Sequence, residues 1–240
     1  MYITWYKMLA FADLRLPTDR LLYLNPHTLI TGPLDHLIEL DFEDAVMALS
    51  YDGTMVNAHK EVINLKPTDG YFNCGIMLIN HKKWLDESID TELRDHLANH
   101  EYMVADQDLC NVLFRGKIKK VGVEYNFSTT YYGYDVKKFL RANNLRPEYF
   151  YSYDEIMQSY YSPKIIHSQF AVVGKPWDRQ SDNPLSHIWH HYLRLTPWRE
   201  SSLPVAKPNL NWWLYKFLPQ SILTRLYAFA VSRKFARVKK

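Results

Sequence analysis

Apolar residues fall along this chain in short blocks separated by turn-forming residues, and the spacing of the blocks predicts alternating strands and helices. Leu21–Leu24 is a continuous apolar run halted by Asn25-Pro26-His27. Proline withholds the N–H that sheet pairing needs, so the run reads as a buried strand that ends there. Ala45–Tyr51, ending at Asp52-Gly53, and Ile76–Ile79, preceded by Asn73-Cys74-Gly75, have the same form. Lys117–Val123 alternates as a half-buried strand, and Ile165-Ile166 leads into His167. Helical spacing appears over Met1–Leu16, which stops at Pro17, over Trp84–Glu101, and over Leu185–Leu195. It recurs at Leu109, Val112 and Leu113, which follow one another at i, i+3, i+4. Asn126–Tyr134 and His167–Trp177 read as loops. Strands alternating with helices imply an α/β fold, a mixed sheet flanked by helices.

Candidate chemistry gathers around these blocks. The stretch Asp69–Asn80, DGYFNCGIMLIN, places small residues and one amide just before a buried strand, where a ligand can approach the backbone closely. Asp106-Gln107-Asp108 with Asn111 collects carboxylates and amides at the start of a helix. Fixed acceptors and amides beside apolar runs suit a polyhydroxyl ligand such as a sugar. Asn25 and His27 follow a strand directly, the end at which open α/β sheets bind ligands.

The 240 residues suffice for one domain with a sizeable core, or one domain and a tail. Aromatics at 15% are abundant, serving either as core filler or as platforms for sugar rings. The net charge of +3 is unevenly spread. Lys207–Lys240 holds eight Lys/Arg and no Asp/Glu, leaving 21 basic against 26 acidic residues in the rest. An acidic body with a basic tail argues against nucleic-acid binding. Two cysteines, Cys74 and Cys110, suggest no disulfide framework and a reducing, cytoplasmic compartment. There is no secretory pattern at the start, and no apolar run approaches the roughly 18–20 residues that span a bilayer. Asn126-Phe127-Ser128 matches a glycosylation acceptor, which without a secretory signal reads as chance.

In order, these pieces resemble glycosyltransferase family 8, the retaining, UDP-sugar-using GT-A enzymes that include bacterial lipopolysaccharide galactosyl- and glucosyltransferases. Tyr6-Lys7-Met8-Leu9 stands where the family has an aromatic-Arg-x-Leu helix. Tyr71-Phe72-Asn73-Cys74-Gly75 and Leu78-Ile79-Asn80 are similar to its Phe-Asn-Ala-Gly and Leu-Ile-Asn segments. Asp106-Gln107-Asp108-Leu109 with Asn111 resembles Asp-Gln-Asp-x-x-Asn. His167 followed by Lys175-Pro176-Trp177 resembles its His…Lys-Pro-Trp loop, and Pro197-Trp198 the lipopolysaccharide branch. The resemblance implies a UDP-hexose donor (glucose or galactose), a glycan or lipid-linked acceptor such as lipopolysaccharide core, and retention of anomeric configuration. Gln107 and Asp106 would be the catalytic pair, Gln107 near the anomeric carbon. Asn73, Cys74, Gly75 and Asp52 would contact the sugar, with Lys175, Gly174 and Lys7 toward the diphosphate.

Two departures from the family pattern matter. The Asp-x-Asp that with a later His holds Mn²⁺ or Mg²⁺ is Asn25-Pro26-His27 here, so any metal would rest on Asn25, His27 and His167. Losing both carboxylates predicts weak or lost metal dependence. The resemblance also begins at a helix that follows the family's first strand–helix–strand unit, so a sheet lacking that unit is expected. The organisation expected is a partial GT-A domain over residues 1–206 and a basic, aromatic tail over 207–240. An active hexosyltransferase and a remnant that binds a glycan or partner without transfer are both consistent with these departures.

The tail carries Trp212-Trp213, Tyr215 and Phe217, then an apolar stripe of Ile222, Leu223, Leu226, Tyr227, Phe229 and Ala230 beside Arg225, Arg233 and Lys234. Such a helix either docks on an anionic membrane surface, making the protein peripheral at the inner face of the plasma membrane, or packs on the body. His187, His190 and His191 share a helix face with no partner carboxylate and read as solvated.

Overall fold

The computed structural model describes residues 6–13, 16–54, 57–169, 173–179, 181–205 and 210–236. Its elements run α1 (Tyr6–Asp13), β1 (Arg20–Leu24), β2 (Thr28–Ile30), α2 (Asp35–Ile38), β3 (Met47–Leu49), α3 (Asn57–Val62) and β4 (Ile76–Asn80). There follow α4 (His81–Asp86), α5 (Ile89–Asn99), α6 (Ala105–Leu113), β5 (Ile118–Lys120), a 3-10 turn over Val123–Asn126, β6 (Phe127–Ser128) and α7 (Thr130–Gly133). The chain continues through α8 (Val136–Ala142), α9 (Tyr153–Tyr161), β7 (Ile165–His167), α10 (Ser186–Arg194), α11 (Leu210–Phe217) and α12 (Gln220–Ala236).

Four strands form a mixed sheet in the order β1-β4-β3-β5. β4 pairs antiparallel with β1, Leu24 opposite Ile76, and with β3, Met47 opposite Ile79, whereas β3 and β5 run parallel. Both faces of β4 are buried, which explains its unbroken apolar run. Met77 and Ile79 pack with Met8, Phe11, Trp84 and Phe114 of α1, α4 and the end of α6. Ile76 and Leu78 pack on the other face with Leu37, Phe42 and Ile165. A second sheet, β2-β7-β6, pairs Thr28 and Ser128 to either side of His167. The expected α/β architecture, a mixed sheet flanked by helices, is therefore present.

Several boundaries differ from the sequence expectation for local reasons. Trp84–Glu101 is two helices, because Ser88 takes a left-handed conformation (φ 51°) between α4 and α5. The strand expected over Lys117–Val123 stops at Lys120, and Val123 opens the 3-10 turn. Asn126–Tyr134 is not a loop: Phe127 is fully buried, pairs with β7, and is followed by a helical turn. The ends of the Met1–Leu16 helix and part of the His167–Trp177 loop lie outside the described residues.

The C-terminal helices share a third core with the body. Leu223 is buried, Tyr227 packs on Tyr134 and Phe139 at ring separations of 4.8 and 5.8 Å, and Thr224 Oγ1 accepts from the Asp135 N–H. One face of the expected tail stripe is thus packed on the body, while Ile222, Leu226 and Phe229 stay exposed. No helix among the described residues is long and apolar enough to cross a membrane.

Candidate active site

The first sheet brings the carboxyl ends of β1 and β3 and the start of β4 to one edge, and β7 of the second sheet ends beside it. Asn25, His27, Asp52, Asn73–Gly75 and His167 therefore lie within a few residues of that edge. Helix α6 adds its first turn. Its phase decides which polar residue of Asp106-Gln107-Asp108 looks where.

Gln107 faces the edge. Its Nε2 donates to Asp52 Oδ2 at 3.0 Å, and its Oε1 accepts from Asn73 Nδ2 at 3.0 Å and weakly from the Cys74 N–H at 3.4 Å. Asn73 Nδ2 also donates to Asp52 Oδ2 at 2.9 Å. Three polar groups from three separate segments thus form one closed array, all less than a tenth exposed. Asp52 Oδ1 is held in turn by the N–H and hydroxyl of Thr54. The other polar residues of α6 are scaffolding. Asp108 accepts from Tyr71 and from the Val104 N–H and lies 2.6 Å from His59 Nε2, while Asn111 clasps both backbone groups of Phe72.

Asp106 turns the opposite way and pairs with Lys7. The ammonium lies 2.6 Å from Asp106 Oδ2, donates to the Cys74 carbonyl at 2.8 Å, and sits over the Tyr23 ring. Burial alone would lower the Lys7 pKa, but Asp106, helped by Cys74 and Tyr23, more than offsets it and the net shift is upward. Lys7 is therefore a committed partner of α6 and of the Asn73–Gly75 turn.

From Asn73 the array continues through a residue the sequence did not expose. Asn73 Oδ1 accepts from the Gly75 N–H and from Asn126 Nδ2, both at 2.9 Å, and Asn126 Oδ1 lies 2.9 Å from His167 Nδ1. Asn126 is nearly fully buried, with both ends of its amide engaged, so in the fold it is no glycosylation acceptor. His167 Nε2 lies 2.9 Å from His27 Nε2 and 3.4 Å from Asn25 Nδ2, and Asn25 Oδ1 accepts from Tyr23. Gly75 makes this approach possible. A Cβ there would lie 2.1 Å from His167 Cε1 and 2.9 Å from Asn25 Nδ2, well inside contact distance.

The proton positions follow from this network. Because Asn126 offers its carbonyl oxygen, His167 carries its proton on Nδ1 and accepts at Nε2, so His27 donates through its own Nε2–H. Burial, then His27 and Lys7, push the His167 pKa down to about 3, and burial with Lys7 lowers that of His27. Both rings are neutral at pH 7.

The set Asn25, His27 and His167 does not fit Mn²⁺ or Mg²⁺. It has no carboxylate, its two imidazole Nε2 atoms face each other, Asn25 turns its NH₂ inward, and cationic Lys7 is close enough to depress both histidines. Hard divalent cations favour charged oxygen donors. Among the described residues no group of three or more His, Cys, Asp or Glu is placed to hold a metal.

Asp52, Asn73, Asn126, Ser128 and Gln169 line a cavity of about 10 Å³, room for a single water. Gln169 also borders a much larger cleft of about 1090 Å³ that holds His27, Gly174 and Lys175. Lys175 and Gly174 line that cleft with His27 and Gln169, and neither borders the small cavity beside Asn73. Asn126, Gln169 and Tyr23 were missed. Asn126 stood out in the sequence only as part of a chance glycosylation match and a polar stretch over 126–134.

Comparison with known proteins accords with this arrangement. The family model described as Glycosyl transferase family 8 matches residues 1–181. The chain is 28% identical over 208 residues to the lipopolysaccharide 1,2-glucosyltransferase of Escherichia coli strain K12, covering 85% of this chain and 57% of that protein. To the lipopolysaccharide 1,3-galactosyltransferase of Salmonella typhimurium strain LT2 it is 25% identical over 226 residues, covering 88% and 60%. The chain thus spans somewhat under two thirds of the length of these relatives. Among solved structures, the galactosyltransferase LgtC in complex with donor and acceptor sugar analogues shares the fold. Its TM-score is 0.63 at 24% identity, covering 83% of this chain and 71% of LgtC. With three quarters of its length matched by the family model, and the family's amide and carboxylate motifs meeting at one sheet edge, the chain belongs to glycosyltransferase family 8.

Proposed function

We propose that the chain transfers a hexose, glucose or galactose, from a UDP-sugar to a hydroxyl of a cell-surface glycan such as lipopolysaccharide core, with retention at the anomeric carbon. The observation that carries this reading is the shared array of Asp52, Asn73 and Gln107. Fixed amide donors, an amide acceptor and one carboxylate suit vicinal hydroxyls, which both give and receive hydrogen bonds. Asp52 and Asn73 line a cavity with room for one water, so hexose binding parts the Gln169 and Thr54 rim. The diphosphate then lies in the cleft, where the Lys175 ammonium offsets the charge of the leaving group. Asp106 acts through Lys7, fixing the Asn73–Gly75 turn.

An uncharged amide is a feeble nucleophile, so Gln107 orients the anomeric carbon and forms no covalent intermediate. The C1–O bond to the β-phosphate breaks with its electron pair leaving on UDP. The acceptor oxygen bonds C1 on the same face, and its proton passes to the departing phosphate. Because the histidine set does not suit Mn²⁺ or Mg²⁺, this reading requires no hard metal. The reaction takes place on the cytoplasmic side, with the outward Trp213 and Phe217 and the basic tail touching the anionic membrane surface.

The test is hydrolysis and transfer of UDP-glucose and UDP-galactose by the full chain, in EDTA and with added Mn²⁺. Turnover in EDTA that falls about 10²–10³-fold in Gln107→Ala supports the reading. A sharp metal requirement contradicts it. Donor binding without any turnover marks a binding module instead.

A further inference from the structure

Helix α12 reaches further into the molecule than a surface tail would. It packs on α8 and on α3, the helix that follows Asp52 and Thr54 in the chain. Gln220 donates to the Tyr132 carbonyl and Thr224 takes the Asp135 N–H, which fixes the start of α12 against α7 and α8. Tyr227 then turns inward. Its ring stacks at 5.8 Å on Phe139, a wall of the small cavity beside Asn73, while Leu226 and Phe229 stay exposed.

The Tyr227 hydroxyl lies 3.5 Å from the Thr54 carbonyl oxygen and donates to it. Burial, then Tyr134 and Asp52, push the Tyr227 pKa up, so the hydroxyl keeps the proton that a donor needs. The partner matters because of what Thr54 holds. Its N–H and its hydroxyl bond Asp52 Oδ1 at 2.7 and 2.5 Å, and Asp52 Oδ2 takes the Gln107 amide at 3.0 Å. The middle of this turn is already gripped: a Cβ on Gly53 would lie 2.9 Å from Phe150 Cζ and 3.1 Å from Tyr131 Oη. At its far end, among the described residues, the hydrogen bond to the Thr54 carbonyl comes from Tyr227.

We propose that Tyr227 is a positioning residue of the hexosyl site: by holding the Thr54 carbonyl it fixes the Asp52–Thr54 turn, so that Asp52 keeps Gln107 aligned with the anomeric carbon. The inference rests on the hexosyltransferase reading and makes α12 part of the transfer machinery, whatever the tail does at a membrane. Opening of the rim for the hexose then falls to Gln169 and the Thr54 side chain, while the backbone of the turn stays in place. Small displacements of an orienting group cost rate more than they cost ground-state binding, because alignment is needed most at the reacting centre.

The experiment compares the full chain with Tyr227→Phe, which removes only the hydroxyl, and with Tyr134→Phe, which removes a hydroxyl from the neighbouring ring of the same stack. Hydrolysis of UDP-glucose and UDP-galactose is measured without lipid, and hydrogen exchange of the Thr54 N–H is followed by NMR. Tyr227→Phe is expected to lower kcat about 2- to 10-fold, the rate equivalent of one modest hydrogen bond, with the donor KM within about twofold. Exchange at Thr54 is expected to speed up by a similar factor, and Tyr134→Phe to change neither. Unchanged exchange at Thr54 in Tyr227→Phe overturns the proposal whatever the rates. A rise in KM at constant kcat, or equal losses in Tyr227→Phe and Tyr134→Phe, overturns it too, in favour of a merely structural ring stack. The two levels separate cleanly. Turnover by the unaltered chain that Tyr227→Phe leaves intact defeats only the positioning role. No turnover of either nucleotide sugar by the unaltered chain defeats the transferase reading, and exchange at Thr54 still decides whether Tyr227 holds the turn.

Discussion

Replacing Asn126 by alanine is the sharpest perturbation of the site, because one side chain joins its two halves. The amide donates to Asn73 Oδ1 and accepts from His167 Nδ1, each at 2.9 Å, in a setting closed to solvent. On truncation, Asn73 Oδ1 keeps the Gly75 N–H, so that side loses one ordinary hydrogen bond, about 0.5–1.5 kcal/mol. The His167 Nδ1–H loses its acceptor altogether and stays buried, which costs about 1–3 kcal/mol. The sum is about 1.5–4.5 kcal/mol. At roughly 2–4 °C per kcal/mol for a chain of this size, Tm falls by about 3–18 °C. Urea unfolding of Asn126→Ala, His167→Ala and the double variant gives the coupling directly. Residues in one hydrogen-bonded network couple by about 0.5–3 kcal/mol, and a value within error of zero refutes the bridge.

Gly75→Ala places a Cβ 2.1 Å from His167 Cε1, so the imidazole must leave His27. Overpacking of this kind costs about 1–3 kcal/mol, and a His167 titration that rises from its depressed pKa toward the ordinary imidazole value by NMR reads the displacement. Acid stability follows from the same ring. The folded His167 pKa, lowered to about 3 by burial, then by His27 and Lys7, lies below the ordinary value near 6.5. The unfolded state binds the extra proton between those values, so this contribution is complete above about pH 6.5 and is lost as pH falls toward 3. Its ceiling is of order 5 kcal/mol, and a urea midpoint independent of pH between 7 and 4 would count against it. Lys7→Met strips Asp106 of its ammonium partner at 2.6 Å, and is expected to weaken donor turnover through the Asn73–Gly75 turn while lowering stability by about 1–3 kcal/mol.

Much of this site could be read from the chain because its residues sit at punctuated strand ends. Ile76–Ile79 is bounded by Asn73-Cys74-Gly75 on one side and Asn80 on the other, and Leu21–Leu24 by Asn25-Pro26, so both strands and their adjacent polar groups stood out. What could not be read depends on tertiary contact. The strands Thr28–Ile30 and Phe127–Ser128 are too short for any periodic pattern, and they exist because β7 lies between them. The division of labour in Asp106-Gln107-Asp108 comes from the phase of α6 against β4. The motif names the polar groups, but only packing makes Asp108 a scaffold for Tyr71 and leaves Gln107 facing Asp52. The tail stripe was visible as a stripe, and whether it met lipid or protein rested on where α12 crosses α8.

The central claim is that amide, carboxylate, imidazole and ammonium groups at one sheet edge form a single hexosyl diphosphate site. A structure of the full chain with UDP-glucose or UDP-galactose bound, prepared in EDTA, tests it most directly. The hexose is expected to displace the Gln169 rim and bond to Asp52 and Asn73, with its anomeric carbon beside Gln107 and its diphosphate between His27 and Lys175. Donor bound elsewhere while the Asp52–Asn73–Gln107 array stays closed would contradict the account.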